Sequence, residues 1–283
     1  MRRLRRSLLM TPGHRFERLA KAAGLPIDAV IFDLEDGVPG ARKAEARATV
    51  ARALTALPFG RRERIVRINA AATPECEADL AALPLDRLDT LMLPKVERPA
   101  ELLWLDERLK GTAVTVIATI ETPRGLLGGL PIVDATPRLS GVFFGPGDYT
   151  MQTGGAMTAA GLRFPRAVIA ALAGAAGCDA IDAPYLLDIT DAEATRLDAD
   201  EARSLGFVGK VVFHPAQIAA ANAAFSPTPA ELHRARRIVD GYARSMQAGE
   251  AVALIDGEFI AMDLAPRMQR LLDIANEIGS VPL

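Results

Sequence analysis

The sequence predicts a (β/α)8 barrel, and three observations lead to this fold class. Eight short runs rich in β-branched and aromatic residues alternate with alanine-rich stretches whose apolar residues recur at helical spacing. Eight such units in roughly 220 residues match the usual size of this barrel. No Gly-x-Gly-x-x-Gly run follows the first strand, which weighs against the alternative, a doubly wound open sheet.

The eight predicted strands lie within a predicted catalytic barrel domain, residues 1–225. They cover residues 7–13, 29–36, 64–70, 90–96, 114–122, 141–148, 180–186 and 209–215. Between them, helical spacing predicts helices that include residues 17–23, 41–57, 99–109 and 165–176. Strand and helix thus alternate along the domain, as a parallel sheet requires.

The remainder of the chain, residues 226–283, is predicted to form a C-terminal helical extension. It opens with Ser-Pro-Thr-Pro-Ala-Glu, which is typical of an N-cap and a proline-initiated helix. A helix over 230–248, a short strand or turn over 252–259 and a helix over 266–278 follow. Because the extension is small for a core of its own, we expect it to pack on the barrel or, as we favour, on a neighbouring subunit.

Composition excludes several function classes. The 283 residues carry 33 basic and 35 acidic side chains, so no excess of positive charge suits a nucleic acid or an acidic membrane. The apolar run after Met-Arg-Arg-Leu-Arg-Arg is too short for a signal peptide, and we expect no span of the roughly 18–20 apolar residues that a bilayer requires. Cys76 and Cys178 lie far apart without Cys-x-x-Cys spacing, which favours the reducing cytoplasm.

Polar side chains follow almost every predicted strand. Because the carboxyl ends of barrel strands form one reactive face, we expect these side chains to meet at a common mouth. They are His14, Arg15, Glu35, Asp36, Arg67, Asn69, Lys95, Glu121, Asp148, Asp182 and His214.

Glu121 and Asp148 are the candidate metal ligands. Each follows a strongly apolar run, and the two runs are predicted neighbours in the sheet, about 4.8 Å apart. Two carboxylates at that spacing repel unless a cation joins them, and an oxygen-only set favours Mg²⁺ or Mn²⁺. Gly145, Pro146 and Gly147 precede Asp148, and the glycines let backbone N–H groups approach an anionic ligand. The alternative is a pair of solvated acids at the rim.

The basic residues of the mouth leave alternatives open. Arg67 lies among apolar residues and needs a carboxylate partner, either an internal one such as Glu35 or Asp36, or that of a substrate. Lys95 could form a Schiff base, but pairing with those same acids is the simpler interpretation. His214 could act as an acid or base, or have a structural hydrogen bond.

Seven ordered stretches resemble the motifs of the citrate lyase β-subunit-like proteins of the HpcH/HpaI aldolase superfamily. They are RSLLMTPG, AVIFDLEDGV, VRINA, LPKVE, IETPRGL, FFGPGD and GFVGKVVFHPAQI, and they span most of the chain. The resemblance implies a TIM barrel that binds Mg²⁺ and cleaves or forms a C–C bond between an acyl thioester and a 2-oxo acid. DLEDGVP carries no histidine after its acids, which favours the thioester lyases over the aldolases.

The resemblance also implies roles for individual residues. Glu121 and Asp148 would bind the metal, and Arg67 and the Gly145–Gly147 stretch would bind the substrate carboxylate. Glu35 and Asp36 would hydrogen-bond metal-bound waters or Lys95 and so orient the metal ligands. Relatives provide a late aspartate to the neighbouring subunit's site as acid or base. Asp263 in GEFIAMDLAP is the candidate for this role and Asp256 the fallback, although Asp263 could equally be a helix N-cap.

The expected activity is Mg²⁺-dependent cleavage or formation of a 3-hydroxyacyl-CoA of malyl or citramalyl type. The partners would be a 2-oxo acid, a CoA thioester and further copies of the chain, as a trimer or hexamer, with no nucleic acid and no membrane. Three alternatives remain open at this point: a citrate lyase β subunit in a larger complex, a malyl-CoA thioesterase, and a non-catalytic metabolite-binding scaffold.

Overall fold

Eight parallel strands close into a barrel in the computed structural model, which describes residues 3–247, 253–255, 258–260 and 264–279. Each strand pairs with the next one in sequence, and the eighth pairs with the first. The predicted fold class is therefore confirmed. The strands are β1 (Ser7–Pro12), β2 (Ala29–Asp33), β3 (Glu63–Arg67), β4 (Thr90–Leu93), β5 (Thr115–Ile120), β6 (Leu139–Phe144), β7 (Asp179–Asp182) and β8 (Gly209–Val212).

Helices connect the strands, and two 3₁₀ turns, Gly40–Arg42 and Pro215–Gln217, precede α2 and α10. The barrel helices are α1 (Phe16–Ala22), α2 (Lys43–Ala56), α3 (Pro74–Ala82), α4 (Pro99–Arg108), α5 (Pro123–Leu127), α6 (Gly129–Val133), α7 (Pro146–Thr153), α8 (Ala159–Ala176), α9 (Ala192–Leu205) and α10 (Ile218–Ala224).

Both faces of the strands are buried, which explains their nearly continuous apolar sequences. One set of side chains fills the interior of the barrel, and the other packs beneath the helices. Side chains alternate along a strand. The residues of the interior set therefore show which face of the sheet each remaining strand residue occupies. The interior set consists of Leu8, Met10, Ala29, Ile31, Ile65, Met92, Ile117, Phe143, Ile181, Ala183 and Val211.

Helix α8 begins at Ala159, six residues before the predicted start, and so Pro165 lies inside it. The Thr158 side chain accepts the N–H of Gly161 and caps the helix at that earlier point. Proline favours a helix start, but Pro165 lies six residues inside α8, where it removes one backbone donor.

The same helix is long and apolar enough to cross a membrane by length and composition, contrary to the expectation that the chain holds no such stretch. In the structure α8 packs against β6 and β7. Its Leu162, Ile169 and Leu172 are buried there. These apolar residues pack in the outer layer of the barrel.

The amino-terminal end of the barrel, here called the floor, is filled by Arg5, Glu63, Thr90, Ser140 and Asp179. Arg5 donates Nε and Nη2 to the two oxygens of Glu63, both at 2.8 Å. Its Nη1 donates to the Ser140 carbonyl at 2.7 Å and lies 3.3 Å from Asp179 Oδ2. Thr90 adds a hydrogen bond to Glu63 Oε1 at 2.6 Å.

The chain divides into two compact units, Arg3–Phe225 and the residues from 226 onward. The second unit contains α11 (Pro229–Gln247), the antiparallel strands β9 (Ala253–Ile255) and β10 (Glu258–Ile260), and α12 (Leu264–Gly279). Thr228 and Glu231 cap α11 reciprocally, side chain to backbone, at 3.2 and 2.7 Å. A small apolar cluster of this unit is formed by Ala235, Ile238, Ile260 and Met268. Packing on a neighbouring subunit stays a prediction.

Candidate active site

Asp33, the first acid of the Asp-Leu-Glu-Asp segment, ends β2 and holds the loop that follows. Its carboxylate accepts the backbone N–H groups of Glu35 and Gly37 at 2.9 and 2.8 Å. It also accepts Nε and Nη2 of Arg67, its register partner on β3, at 2.8 and 2.7 Å. A side chain at Gly37 would collide with the Asp33 carboxylate, because a Cβ there would lie 2.2 Å from Oδ2. Asp33 is thus committed to internal contacts.

Arg67 is largely buried and bound by two internal carboxylates. Besides the bidentate pair with Asp33, its Nη1 lies 3.0 Å from Glu35 Oε2. Burial lowers the pKa of Arg67, but the hydrogen bonds and charges of Asp33 and Glu35 outweigh burial and raise it. Of the two alternatives left open by the sequence, the structure shows the internal partners, Asp33 and Glu35 rather than Asp36. Substrate binding by Arg67 stays a prediction.

Glu35 and Asp36 are adjacent in sequence but differ in environment. Glu35 is 4% exposed and lies between two cations, with Lys95 Nζ 3.0 Å from its Oε1. Neither of its buried carboxylate oxygens has a partner in hydrogen-bond geometry among the described residues. The Asp36 side chain is 65% exposed, and its carboxylate is 3.7 Å from Lys95 Nζ. Of these two adjacent acids, therefore, only Glu35 is buried.

Lys95 connects the acids of three loops. Its ammonium pairs with Glu35 and Asp36 and lies 4.0 Å from Asp148 Oδ2, while its backbone N–H donates to Glu121 Oε1 at 2.8 Å. Its backbone is left-handed, with φ of 55°, a conformation that is uncommon for a residue with a side chain. Burial lowers the pKa of Lys95, but its acidic neighbours raise it overall. A protonated amine does not form a Schiff base, so the pairing interpretation is favoured.

Glu121 directly follows β5 and is 7% exposed. Burial raises its pKa to about 7, and the charges of Glu35 and Asp148 add to the shift, while the Lys95 N–H and the Arg67 charge oppose it. Gly145 allows the side chain to sit there, because a Cβ at that glycine would lie 2.5 Å from Glu121 Cβ and 2.6 Å from its Oε2.

Asp148 lies in the first turn of α7, whereas the sequence predicted it to end the preceding strand. The strand β6 stops at Phe144 because Pro146, at the first helical position, has no N–H to donate and favours a helix start. The helix carries Asp148 forward beside the Lys95 ammonium, and its side chain remains 28% exposed. A side chain at Gly147 would meet no atom within 4 Å, so this turn is open on that side.

The mouth fits a hard divalent cation. Five carboxylates, of Asp33, Glu35, Asp36, Glu121 and Asp148, face the cationic side chains of Arg67 and Lys95. Among the described residues no group of three or more His, Cys, Asp or Glu side chains is arranged to hold a metal. Two oxygen ligands from Glu121 and Asp148 would leave the other positions to water or substrate, as Mg²⁺ prefers, and their role as ligands stays a prediction.

One predicted member of the mouth, Asp182, lies elsewhere, whereas His214 follows β8 at the carboxyl end of the barrel. Asp182 was expected at the mouth but faces the helices, because the interior residue of β7 is Ile181. Its carboxylate accepts Nε and Nη2 of Arg166 on α8 and also binds Lys210. His214 caps the 3₁₀ turn that follows β8, and its Nδ1 accepts the Ala216 N–H at 3.2 Å.

The candidate acid–base residues Asp263 and Asp256 lie outside the described residues, so their roles stay predictions. Lys43 was not predicted from the sequence; its ammonium lies behind the acidic loop, residues 34–37, and donates to the carbonyls of Leu34 and Glu35. The only signal was a lysine early in a helix shortly after the acids, which is also the pattern of a solvated helix face.

Comparison with known proteins identifies the family that the chain resembles. The family model described as HpcH/HpaI aldolase/citrate lyase matches residues 6–215. The chain is 36% identical to a (3S)-malyl-CoA thioesterase of Cereibacter sphaeroides over 90% of this chain and 89% of the relative. It is 32% identical to the mitochondrial citramalyl-CoA lyase of Rattus norvegicus over 97% of this chain and 87% of the relative.

A solved structure, that of the protein CitE from Mycobacterium tuberculosis in complex with magnesium, acetoacetate and coenzyme A, is similar over nearly the whole chain. The two share 34% sequence identity with a TM-score of 0.75, over 95% of this chain and 97% of that one. The extent of the family match, together with these relatives, shows that the chain belongs to the HpcH/HpaI aldolase/citrate lyase family.

Proposed function

We propose that this protein is a Mg²⁺-dependent carbon–carbon lyase that cleaves or forms a 3-hydroxyacyl-CoA of malyl or citramalyl type. The observation that carries the proposal is the pair Glu121 and Asp148 beside Lys95, in a mouth where carboxylates outnumber cations. Relatives named as a citramalyl-CoA lyase and as a magnesium-bound CitE support it. Glu121, Asp148, Arg67 and Lys95 occur together here, which counts against the non-catalytic scaffold.

In the cleavage direction the 3-hydroxyl group loses its proton and the C2–C3 bond of the thioester breaks. The products are a 2-oxo acid and the thioester enolate, which gains a proton at its α-carbon. When bound, Mg²⁺ supplies Lewis-acid polarisation of the oxygens of the oxo-acid half. Each further contribution comes from the residues of the chain.

The residues of the mouth divide these tasks. Glu121 and Asp148 would hold the ion, and the Lys95 N–H keeps one oxygen of Glu121 in place. The substrate carboxylate would be bound by the N–H groups of Gly147 and Asp148, in the first turn of α7, and by the guanidinium group of Arg67. Asp263 would protonate the enolate carbon, or deprotonate the acyl thioester in the reverse direction.

Thioester hydrolysis is a second candidate, and the similarity to a (3S)-malyl-CoA thioesterase favours it. If water takes the place of the enolate carbon at Asp263, the same site would release free CoA thiol. A third candidate, the β subunit of a citrate lyase complex, would act on a citryl thioester and would need its partner subunits. We further propose that the protein is cytoplasmic and that it forms a homotrimer or a hexamer.

A substrate screen separates these candidates. The purified chain is incubated with acetyl-CoA and either glyoxylate or pyruvate, with Mg²⁺ or with EDTA, and the acyl-CoA products are separated by chromatography. The lyase gives malyl-CoA or citramalyl-CoA only with Mg²⁺, and the thioesterase additionally releases thiol that reacts with a disulfide dye. If the purified chain forms no C–C bond with any 2-oxo acid, the lyase proposal is wrong.

A further inference from the structure

Lys43, at the start of α2, binds the backbone of the acidic loop from the side away from the mouth. Its Nζ donates to the Leu34 carbonyl at 2.6 Å, to the Glu35 carbonyl at 2.7 Å and to Asn69 Oδ1 at 2.7 Å. An ammonium group has three donors, so every donor of Lys43 has an acceptor. The side chain is thereby fixed in one position.

Asn69, the third acceptor, is held by a second pair of residues. Its Nδ2 donates to Asp79 Oδ2 at 2.6 Å and to the Leu34 carbonyl at 3.1 Å, and its backbone N–H donates to the same Asp79 oxygen at 2.8 Å. Asp79 is fully buried on α3 and accepts Arg47 Nε at 2.7 Å. Because Arg47 follows Lys43 by one helical turn, both reach this network from one face of α2.

The acidic loop is therefore held from two sides. Asp33 accepts the N–H groups of Glu35 and Gly37 on the mouth side, and Lys43 donates to the carbonyls of Leu34 and Glu35 on the helix side. The side chain of Glu35, by contrast, has cations nearby but no partner in hydrogen-bond geometry. Its position depends on these two ion pairs and on how firmly its own backbone is held.

We propose that Lys43 is a positioning residue that acts through Glu35, an inference that rests on the proposed function. By holding the loop, Lys43 keeps the Glu35 carboxylate between Arg67 and Lys95. These two cations in turn keep the carboxylates of Glu121 and Asp148 in position. Asn69 and Asp79 keep Lys43 aimed at the loop. The α2 face thus contributes to the reaction without contacting the mouth.

A double-mutant cycle tests whether Lys43 acts through Glu35. Lys43→Met removes the three donors at similar volume, and we expect kcat to fall about 10- to 100-fold. Lys43→Arg restores donors and should recover part of the loss. In a Glu35→Gln background, Lys43→Met should add only about a further twofold, because the group that it positions is already changed. Full multiplication of the two effects would overturn the inference.

Mn²⁺ binding gives a readout independent of turnover. Water-proton relaxation is measured with Mn²⁺ alone on the wild type, Lys43→Met, Glu35→Gln and the double variant. We expect Lys43→Met to weaken binding about tenfold in the wild-type background and to have little effect in Glu35→Gln. The matched control is Lys110→Met, which removes an exposed lysine paired with Glu107 and should leave kcat and Mn²⁺ binding unchanged.

The outcomes separate this inference from the proposed function. A wild-type chain that neither binds Mn²⁺ nor forms a C–C bond refutes the proposed function and the inference with it. An active wild type whose Lys43→Met variant keeps kcat and Mn²⁺ affinity refutes only the positioning role. If Lys43→Met does not fold, Asn69→Ser, which removes the amide between Lys43 and Asp79, is measured in the same cycle with the same expectations.

Discussion

The floor and the mouth of the barrel each contain a buried arginine in a bidentate ion pair, but the two ends differ in how completely their polar groups are matched. At the floor, Arg5 donates to both oxygens of Glu63, Thr90 donates to Glu63, and Ser140 accepts from Arg5. At the mouth, the Arg67–Asp33 pair is surrounded by further carboxylates, and both buried oxygens of Glu35 lack hydrogen-bond geometry.

The difference indicates what each end does. A buried network with matched donors and acceptors fixes structure, because removing one member leaves an unpaired buried charge. At the mouth, burial and the surplus of carboxylates together raise the pKa of Glu121 to about 7. The floor closes the barrel, whereas the surplus of negative charge at the mouth suits a bound cation, as proposed above. Substitutions at the two ends should therefore differ in kind.

The largest expected effect is that of Glu121→Gln on turnover. The variant keeps the size of the side chain but removes the charge that would hold Mg²⁺, so kcat/KM should fall by at least about 10³-fold, equivalent to about 4 kcal/mol. Product formation from acetyl-CoA and a 2-oxo acid measures it, with circular dichroism as the check on folding. Turnover that survives in Mg²⁺ would contradict the assignment of Glu121 as a ligand.

Arg5→Met should have the opposite profile. It leaves Glu63 and Asp179 buried without the Arg5 guanidinium, so the free energy of unfolding should fall by about 3–5 kcal/mol. Denaturant unfolding measures this loss, and kcat per folded molecule should stay near that of the wild type. If Arg5→Met instead lowered kcat at unchanged stability, the division between a structural floor and a reactive mouth would be wrong.

Much of the barrel was predictable because apolar runs and their spacing specify strands directly. All eight predicted strands occur, but their carboxyl ends were placed too late, since the polar residues after them belong to loops. The Asp33–Leu34–Glu35 stretch shows why: Asp33 ends β2, and the backbone of Glu35 is held by hydrogen bonds to the Asp33 carboxylate and the Lys43 ammonium. Local sequence does not distinguish a strand end from an ordered loop that continues in the same direction.

The mouth was predicted less completely, for two physical reasons. Asp182 was misplaced because alternation sends adjacent residues to opposite faces, and a shift of one position moves a side chain out of the mouth. Lys43 was missed because its partners are backbone carbonyls of a loop on another element, which no spacing rule records. Glu121 was found because it directly follows an apolar strand, and Lys95 because it comes two residues after one.

The pKa of Glu121 predicts a pH dependence at the mouth. Without Mg²⁺, Glu121 stays protonated in the folded chain up to about pH 7, whereas its ordinary pKa is 4.5. The folded state therefore binds more protons between these values, and this group makes the free energy of unfolding fall as pH rises through that window.

Mg²⁺ competes with this proton, so its affinity should weaken about tenfold for each pH unit below 7 and level off above it. Titration calorimetry in buffers of different ionisation enthalpy measures both the affinity and the released proton. In Glu121→Gln the competition disappears together with most of the binding. An affinity for Mg²⁺ that stays constant from pH 6 to 8 in the wild type would contradict the raised pKa.

The smallest effect separates two neighbouring acids of the mouth. Asp36→Asn removes an exposed carboxylate 3.7 Å from the Lys95 ammonium, and solvent screens such a pair, so kcat should change by less than about twofold. Glu35→Gln removes a buried carboxylate 3.0 Å from both Lys95 and Arg67 and should lower kcat by about 10- to 100-fold. Steady-state rates at saturating Mg²⁺ compare the two variants. Equal losses would mean that negative charge near Lys95, rather than a buried carboxylate in one fixed position, is what the mouth requires.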